Sequence, residues 1–417
     1  MKNLVGALMY AQSGGPTSVI NSSAAGVFLE GLKQENVTAV YGASHGIRGV
    51  LEEDFYDISK EDENELLLLK NTPSSSIGSV RYKLKDYKVD DTDYKRILEI
   101  FKKYNIRYFL YNGGNDSMDT CNKISKYIKK SGWDCNVIGV PKTIDNDLYG
   151  TDHCPGFASA SKYIATTVME IKADAIIYPT PLVFIVETMG RHAGWLTASS
   201  VLSSVNGYGP DLIYMPEVAF SIDKFINDIQ NVLKKNNNKC LVVVSEGVKD
   251  ENGNFIGEVL GNKGAKDNFG HTQLGGVGSL LANLVKERTG VKTKFAELNI
   301  MQRCSAHIAS KVDVEEAFKA GAYAVKGAVR GITDKMVIFD RTKANGKYKC
   351  KYKFGKLSLA ANNEKTVPTN WIINDNTYIS HEFIDYALPL IQGENKIQLE
   401  NGLPRFAKLK KITVAKK

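Results

Sequence analysis

The sequence predicts an α/β protein built on mainly parallel strands, and three features lead there. Short apolar runs alternate with longer stretches of helical period, and glycine- or carboxylate-rich turns follow several of the runs. The composition, 43% hydrophobic and 24% charged, is that of an ordinary globular protein. At 417 residues the chain exceeds what one hydrophobic core usually serves, so two or three lobes are expected.

Strands are predicted at the short, mainly apolar runs 4–11, 37–41, 108–111, 137–140, 182–187, 241–245 and 336–339. Helices are predicted between them, at 18–32, 94–104 and 118–130. In the last, Met118, Cys121, Ile124 and Ile128 recur at near-helical spacing and Gly132 follows as a stop. Asp313 with Glu316 reads as a capping-box-like start for a helix that runs to about Arg330, where Gly331 ends it. Strands covered by helices on both faces imply a parallel sheet. Asn345-Gly346, between Lys-rich and Tyr-rich segments, signals a hairpin in a smaller elaboration after residue 340.

The net charge of +8 is modest, and the basic residues are spread along the chain apart from a concentration at 408–417. Nucleic-acid proteins more often place such charge in a stripe with interleaved aromatics, so no nucleic-acid partner is expected. A modest positive balance suits phosphorylated, anionic substrates. The six cysteines (Cys121, Cys135, Cys154, Cys240, Cys304 and Cys350) are scattered with no C-x-x-C pair, which argues against a disulfide framework or zinc site and for a reducing compartment. The apolar run after Met1-Lys2-Asn3 lacks a cleavage site and is too short to span a bilayer. A cytoplasmic location with no membrane partner is the expectation.

Four turns carry the candidate chemistry, each after a predicted strand, where α/β folds bind ligands. The first is Ser13-Gly14-Gly15-Pro16-Thr17, whose glycines would let the backbone approach an anion at a helix N-terminus; a plain tight turn is the alternative. It is not a Walker loop, and no such pattern occurs in the chain. The second, Gly113-Gly114-Asn115-Asp116-Ser117, offers oxygen ligands for a cation, unless Asp116 or Ser117 merely caps the next helix. The third is Pro141-Lys142-Thr143-Ile144-Asp145-Asn146-Asp147. Two carboxylates two residues apart behind a lysine suit proton abstraction, cation binding and phosphate neutralisation, against a solvated loop as the bland alternative. The fourth, Met189-Gly190-Arg191-His192-Ala193-Gly194, offers backbone and guanidinium contacts, with His192 read as a helix-start or packing residue.

With these turns in this order, the sequence resembles the phosphofructokinase family from about residue 4 to about 340. The resemblance implies two Rossmann-like lobes: 1–155 with about 300–340 binding the donor and magnesium, and 156–299 binding the sugar phosphate, followed by the elaboration at 341–417. It implies fructose 6-phosphate as acceptor and Mg²⁺ as cofactor. Gly14, with Gly15, would lie against the donor phosphate, and Arg81 would contact the phosphate in transfer. Asp145 matches the general base toward the sugar 1-hydroxyl, flanked by Thr143 and Asp147 as substrate and metal contacts. Asn115 stands where the family commonly has a magnesium-holding aspartate. Met189, Gly190 and Arg191 match the sugar-phosphate loop, Glu246 a sugar contact and Arg303 a 6-phosphate contact.

Asp116 and Lys142 stand where ATP-using members typically carry glycine, which resembles the pyrophosphate-dependent branch. A carboxylate at 116 would repel a nucleotide α-phosphate, and an ammonium at 142 can neutralise the departing phosphate. Pyrophosphate is therefore the expected donor, in a readily reversible glycolytic reaction. Leu182, Lys294 and Ile300 replace the arginines and histidine that often complete the 6-phosphate pocket, partly across a subunit boundary. A homodimer or homotetramer is implied. The rival readings are an ATP-dependent enzyme, a non-catalytic regulatory subunit, and a lipid or dinucleotide kinase with a similar glycine-glycine-acid turn.

Overall fold

The computed structural model describes residues 4–261, 276–344, 346–361 and 363–417. Met1 to Asn3 and Asn345 of the expected hairpin turn lie outside them. In chain order the principal strands are β1 (Gly6–Gln12), β2 (Val37–Ala43), β3 (Phe55–Asp57), β4 (Ile106–Gly113), β5 (Asn136–Pro141) and β6 (Leu182–Thr188). They continue with β7 (Leu212–Tyr214), β8 (Lys239–Ser245), β9 (Thr293–Glu297), β10 (Lys335–Ala344) and β11 (Lys347–Lys356). The chain folds as two compact units: Met1–Ser159 with Arg303–Glu364 and Gly393–Lys417, and Ala160–Gln302 with Lys365–Gln392. The segment after residue 340 is thus shared between them.

In the first unit a seven-stranded sheet has the order β11-β10-β5-β4-β1-β2-β3, parallel from β10 through β2 with antiparallel edges. Alternation along β1 explains how it is covered on both faces. Leu8 and Tyr10 join one core with Phe28, Ala324 and Val325. Met9 and Ala11 join the other with Phe101, Phe109 and Met118. On the first face the helices Ile20–Gly31 and Lys311–Val329 pack closely, because two glycines meet at their crossing. A Cβ on Gly26 would lie 2.0 Å from the Phe318 carbonyl oxygen, and one on Gly321 2.1 Å from that of Ser23. The helices Thr92–Lys103 and Asn115–Lys130 lie against the second face.

Two local expectations are corrected here. The helix Lys311–Val329 has Ser310 as N-cap with no side-chain cap bond, so Asp313 and Glu316 form no capping box. Instead Asp313 accepts bonds from the Gly156 and Ser159 N–H groups, and Glu316 bonds His153 and Tyr348. Tertiary donors outcompete the helix's own first turn for both carboxylates. The helix Asn115–Lys130 likewise starts from Gly114 without a side-chain cap, so neither Asp116 nor Ser117 serves as one.

The second unit has a four-stranded parallel sheet, β7-β8-β6-β9. Val183, Ile185, Val242 and Val244 pack against Phe225 and Ile229 of the helix Ile222–Lys235 and Leu281 and Val285 of the helix Val277–Thr289. The segment Lys365–Gln392 is anchored there by aromatic packing of Trp371, Phe383 and Tyr386 on Trp195. Among the described residues, no helix is long and apolar enough to cross a membrane.

Candidate active site

In the first unit three of the four turns sit side by side because β1, β4 and β5 are neighbours in register. Gln12 pairs with Asn112, and Gly113 with Pro141, so the three strands end at one level. This is the carboxyl edge of a parallel sheet, where ligands of such folds bind.

The first turn leaves β1 through Gly14, whose φ of +76° is the left-handed conformation glycine adopts freely. The Gly14 N–H donates to the Val80 carbonyl at 3.3 Å, and Ser79 Oγ donates back to the Gly14 carbonyl at 2.6 Å. The stretch 78–81 therefore runs along the turn and delivers Arg81 to it. Lys142, 4% exposed, donates from Nζ to the Gly15 carbonyl at 2.6 Å. A Cβ on Gly14 would lie 3.4 Å from that Nζ, and one on Gly15 would lie 3.1 Å from Arg303 Nη1. Glycine here leaves room for two cationic heads.

Burial pushes the Lys142 ammonium down to about 8, Asp145 and Asp147 pull it up, and Arg303 and Arg81 push it down again. Arg303 is also lowered, by burial first and then by Arg81. Three cations and two carboxylates thus share one field, with a net positive balance suited to a polyanionic phosphate. Arg303, which the resemblance gives to the 6-phosphate, lies with Gly15, Arg81 and Asp145 in this cluster.

The carboxylate turn is held by its own backbone. The Lys142 N–H donates to the Gly113 carbonyl at 3.0 Å, Thr143 N–H to the Pro155 carbonyl at 3.2 Å, and Asp145 N–H to Thr143 Oγ1 at 3.1 Å. Between the two carboxylates Asn146 takes φ +55°, a left-handed position that asparagine tolerates better than most residues. Its fully buried amide oxygen accepts the Cys154 N–H at 2.9 Å. Asp145 and Asp147 are left half-buried at the sheet edge.

At the second turn the Asn115 amide donates to the Asn363 carbonyl at 2.8 Å, and Asp116 is exposed in the first helical turn. Asn115, Asp116, Asp145 and Asp147 offer only oxygen donors, with no sulfur or imidazole among them. That donor chemistry fits a small hard divalent cation such as Mg²⁺.

The second unit carries the fourth turn, at the end of β6. Gly190 has φ +136°, its N–H donates to Glu246 Oε1 at 3.2 Å, and its carbonyl accepts Ser245 Oγ at 2.6 Å. The Met189 N–H donates to Gln302 Oε1 at 3.2 Å, and the Gly194 N–H to Glu217 Oε1 at 2.7 Å. Glu246 is raised by burial, against lowering by the Gly190 N–H and by Arg191. The structure therefore brings Met189, Gly190, Arg191 and Glu246 together at neighbouring ends of β6 and β8. His192 is exposed, its ring centre 6.5 Å from that of Phe255 at an interplanar angle of 58°. Leu182 is buried at the start of β6, Lys294 on β9 holds its ammonium 5.8 Å from the Tyr178 ring centre, and Ile300 is exposed.

Sequence reasoning missed Glu217 and Gln302, which brace this loop. Glu217 follows β7 in Met215-Pro216-Glu217, the same strand-end signal that marked Glu246, but three-residue β7 is too short to stand out by periodicity. Gln302 carries no signal of its own.

The family model for phosphofructokinase matches residues 7–328. The chain belongs to the phosphofructokinase family. It is 42% identical over 413 residues, 98% of this chain and 97% of the other, to a protein of Halomonas elongata named pyrophosphate–fructose 6-phosphate 1-phosphotransferase. A protein of the same name from Xanthomonas campestris is 42% identical over 99% of this chain and 98% of its own. The crystal structure of a pyrophosphate-dependent phosphofructokinase from Nitrosospira multiformis superposes with a TM-score of 0.89 at 40% identity, covering 99% of this chain and 98% of that one.

Proposed function

We propose that this chain moves a phosphoryl group from pyrophosphate to the 1-hydroxyl of fructose 6-phosphate, giving fructose 1,6-bisphosphate, and does so reversibly. The observation that carries the reading is the buried Lys142 ammonium, held over Gly15 beside Asp145. In the ATP-using pattern both 116 and 142 are glycines. Here a carboxylate stands where a nucleotide would continue and a cation stands where the departing phosphate would rest. The names borne by full-length relatives support the same donor.

In this reading the first unit is the donor unit and the second the sugar-phosphate unit. Gly14 and Gly15 let the backbone approach pyrophosphate without a side chain in the way. Asp145 accepts the proton of the 1-hydroxyl as that oxygen attacks in line. Lys142 and Arg81 hold the charge on the transferred and leaving phosphates, Arg303 contacts the 6-phosphate, and Thr143 orients the acceptor. Met189, Gly190, Arg191 and Glu246 hold the sugar. Asn115 and Asp147 would hold Mg²⁺, which supplies charge neutralisation at the phosphates when bound, while Asp116 selects the donor. Function as a cytoplasmic homodimer or homotetramer belongs to the same proposal.

The test is a coupled assay of fructose 1,6-bisphosphate formation with Mg²⁺, comparing pyrophosphate and ATP at equal concentration. Activity with pyrophosphate alone is expected. Activity with ATP alone would overturn the donor reading, and none with either would point to a non-catalytic subunit or another substrate.

A further inference from the structure

Eight residues beyond Asp145, His153 is 1% exposed and sits between two carboxylates. Its Nδ1 is 2.7 Å from Asp152 Oδ1, and its Nε2 is 2.7 Å from Glu316 Oε2 on the helix Lys311–Val329. A neutral imidazole carries one N–H, so two acceptor carboxylates at that distance call for the doubly protonated ring. The groups beyond them agree with that charge. Arg341 of β10 grips Asp152 with Nε and Nη2 at 2.9 to 3.1 Å, and Tyr348 of β11 donates its hydroxyl to Glu316 Oε1 at 2.7 Å. Arg341 and an imidazolium balance Asp152 and Glu316; a neutral imidazole would leave one buried negative charge unmatched.

The other side of the same stretch reaches the carboxylate turn. Cys154 donates its N–H to the Asn146 side chain, and the Pro155 carbonyl accepts the Thr143 N–H. Further bonds fix the stretch to the hairpin and the helix: Asp152 N–H to the Phe339 carbonyl, Phe339 N–H to Thr151 Oγ1, and Gly156 N–H to Asp313. Residues 151–156 are therefore tied on one flank to β10, β11 and the helix, and on the other to the residues on both sides of Asp145.

We propose that His153, held as an imidazolium between Asp152 and Glu316, is a positioning residue that sets the Asp145 turn for catalysis and couples it to the β10–β11 hairpin. This rests on Asp145 acting as the base. It gives a role to β11 and Tyr348, which lie beyond the span matched by the family model. The groups facing the ring are Asp152 from its own stretch, Glu316 from the helix, and Tyr348 and Cys350 from β11, with Arg341 of β10 behind Asp152 and the Phe339 ring against it. Burial alone would lower the imidazolium's pKa, but the bonds to Asp152 and Glu316 outweigh it and raise it. A metal ion at His153, Glu316 and Cys350 is disfavoured because both ring nitrogens already face carboxylates and Arg341 adds positive charge.

The experiment has three arms on the full chain. In ¹⁵N-histidine-labelled protein, His153 should show both ring nitrogens protonated at pH 7.5, identified by its loss in His153→Gln. His153→Gln and Glu316→Gln should each lower kcat roughly 10- to 100-fold with a smaller rise in KM, since the turn that carries Asp145 is misplaced while Met189, Gly190, Arg191 and Glu246 still hold the sugar. Asp145→Asn is measured beside them. A neutral His153, stoichiometric zinc in the purified protein, or variants that lose thermal stability but keep kcat would each overturn the proposal. If His153→Gln does not fold, Glu316→Gln decides: a lowered kcat in a folded variant supports the proposal and an unchanged kcat overturns it. Retained activity in Asp145→Asn would instead remove the base on which the inference rests, whatever the histidine variants do.

Discussion

The ammonium of Lys142 donates to the carbonyl of Gly15 at 2.6 Å, so the end of β5 is tied directly to the phosphate turn that follows β1. One side chain both closes the donor site and charges it. Its burial is the reason its charge is labile.

The first prediction concerns pH. With Lys142 pushed down to about 8, the free enzyme loses that positive charge as pH rises through this value. The dependence of kcat/KM for pyrophosphate on pH reports the free enzyme, so an alkaline limb near 8 is expected. Lys142→Arg should be slower yet lose this limb, because guanidinium stays charged. Stability runs the opposite way. A lysine whose folded pKa is depressed makes folding more favourable as pH climbs from about 8 toward the ordinary 10.5. Melting temperatures across that range check the sign in wild type against Lys142→Met.

Asp145→Asn keeps the shape of the turn and removes the base. A loss of about 10²- to 10⁴-fold in kcat is expected in both directions of the reaction, with KM for pyrophosphate little changed. Steady-state rates measured from each side decide it. A loss confined to KM would show that Asp145 binds and does not abstract.

Donor choice should follow positions 116 and 142. Asp116→Gly with Lys142→Gly removes the repelling carboxylate and the buried ammonium together. The ratio of kcat/KM for ATP to that for pyrophosphate is expected to rise by about tenfold or more, mostly through loss of the pyrophosphate rate. An unchanged ratio would place donor selection elsewhere.

Glu217 Oε1 accepts two backbone N–H groups, from Gly194 at 2.7 Å and from Val367 at 3.0 Å. Glu217→Ala leaves both donors unmatched, which typically costs about 1–3 kcal/mol each when buried. The variant should melt lower and show a raised KM for fructose 6-phosphate, because Gly194 ends the loop that begins at Met189. Glu217→Gln keeps the accepting oxygen and should stay close to wild type in both measurements.

At the helix crossing, Gly26→Ala or Gly321→Ala would push a methyl to within about 2 Å of a backbone carbonyl. Helices must separate to admit it, and overpacking of this kind costs about 1–3 kcal/mol or more. Denaturant titration of the single variants checks this. Equal stability would mean that the two helices slide apart freely.

The chemistry-bearing turns were legible because they combine short-range signals. Glycines, carboxylates and a lysine directly follow apolar runs, and the runs themselves are visible since buried parallel strands are mostly apolar, with polar residues such as Gln12, Asn112, Glu187 and Ser245 at or near their carboxyl ends. The seven strands read from sequence correspond to β1, β2, β4, β5, β6, β8 and β10, with ends moved by up to five residues. The short strands β3 and β7 and the half-exposed β9 escaped, being too brief or too polar for periodicity to register, while β11 pairs antiparallel with β10 as the expected hairpin requires. Asp313 and Glu316 show the opposite failure. Their spacing imitates a local cap, yet both carboxylates serve partners more than 150 positions away.

By itself, then, the sequence determined the α/β class, the identity of the four turns and the residues each turn offers, since these depend on neighbours within a few positions. Tertiary structure decided which of those residues share a field. The order β5-β4-β1 sets three turns at one sheet edge, and Arg81 and Arg303 arrive there from segments remote in the chain. It also decided that Lys142 is buried, that His153 is gripped on both sides, and that Glu217 braces a loop. Burial and long-range contact shift charge and fix geometry, and neither has a counterpart in local spacing.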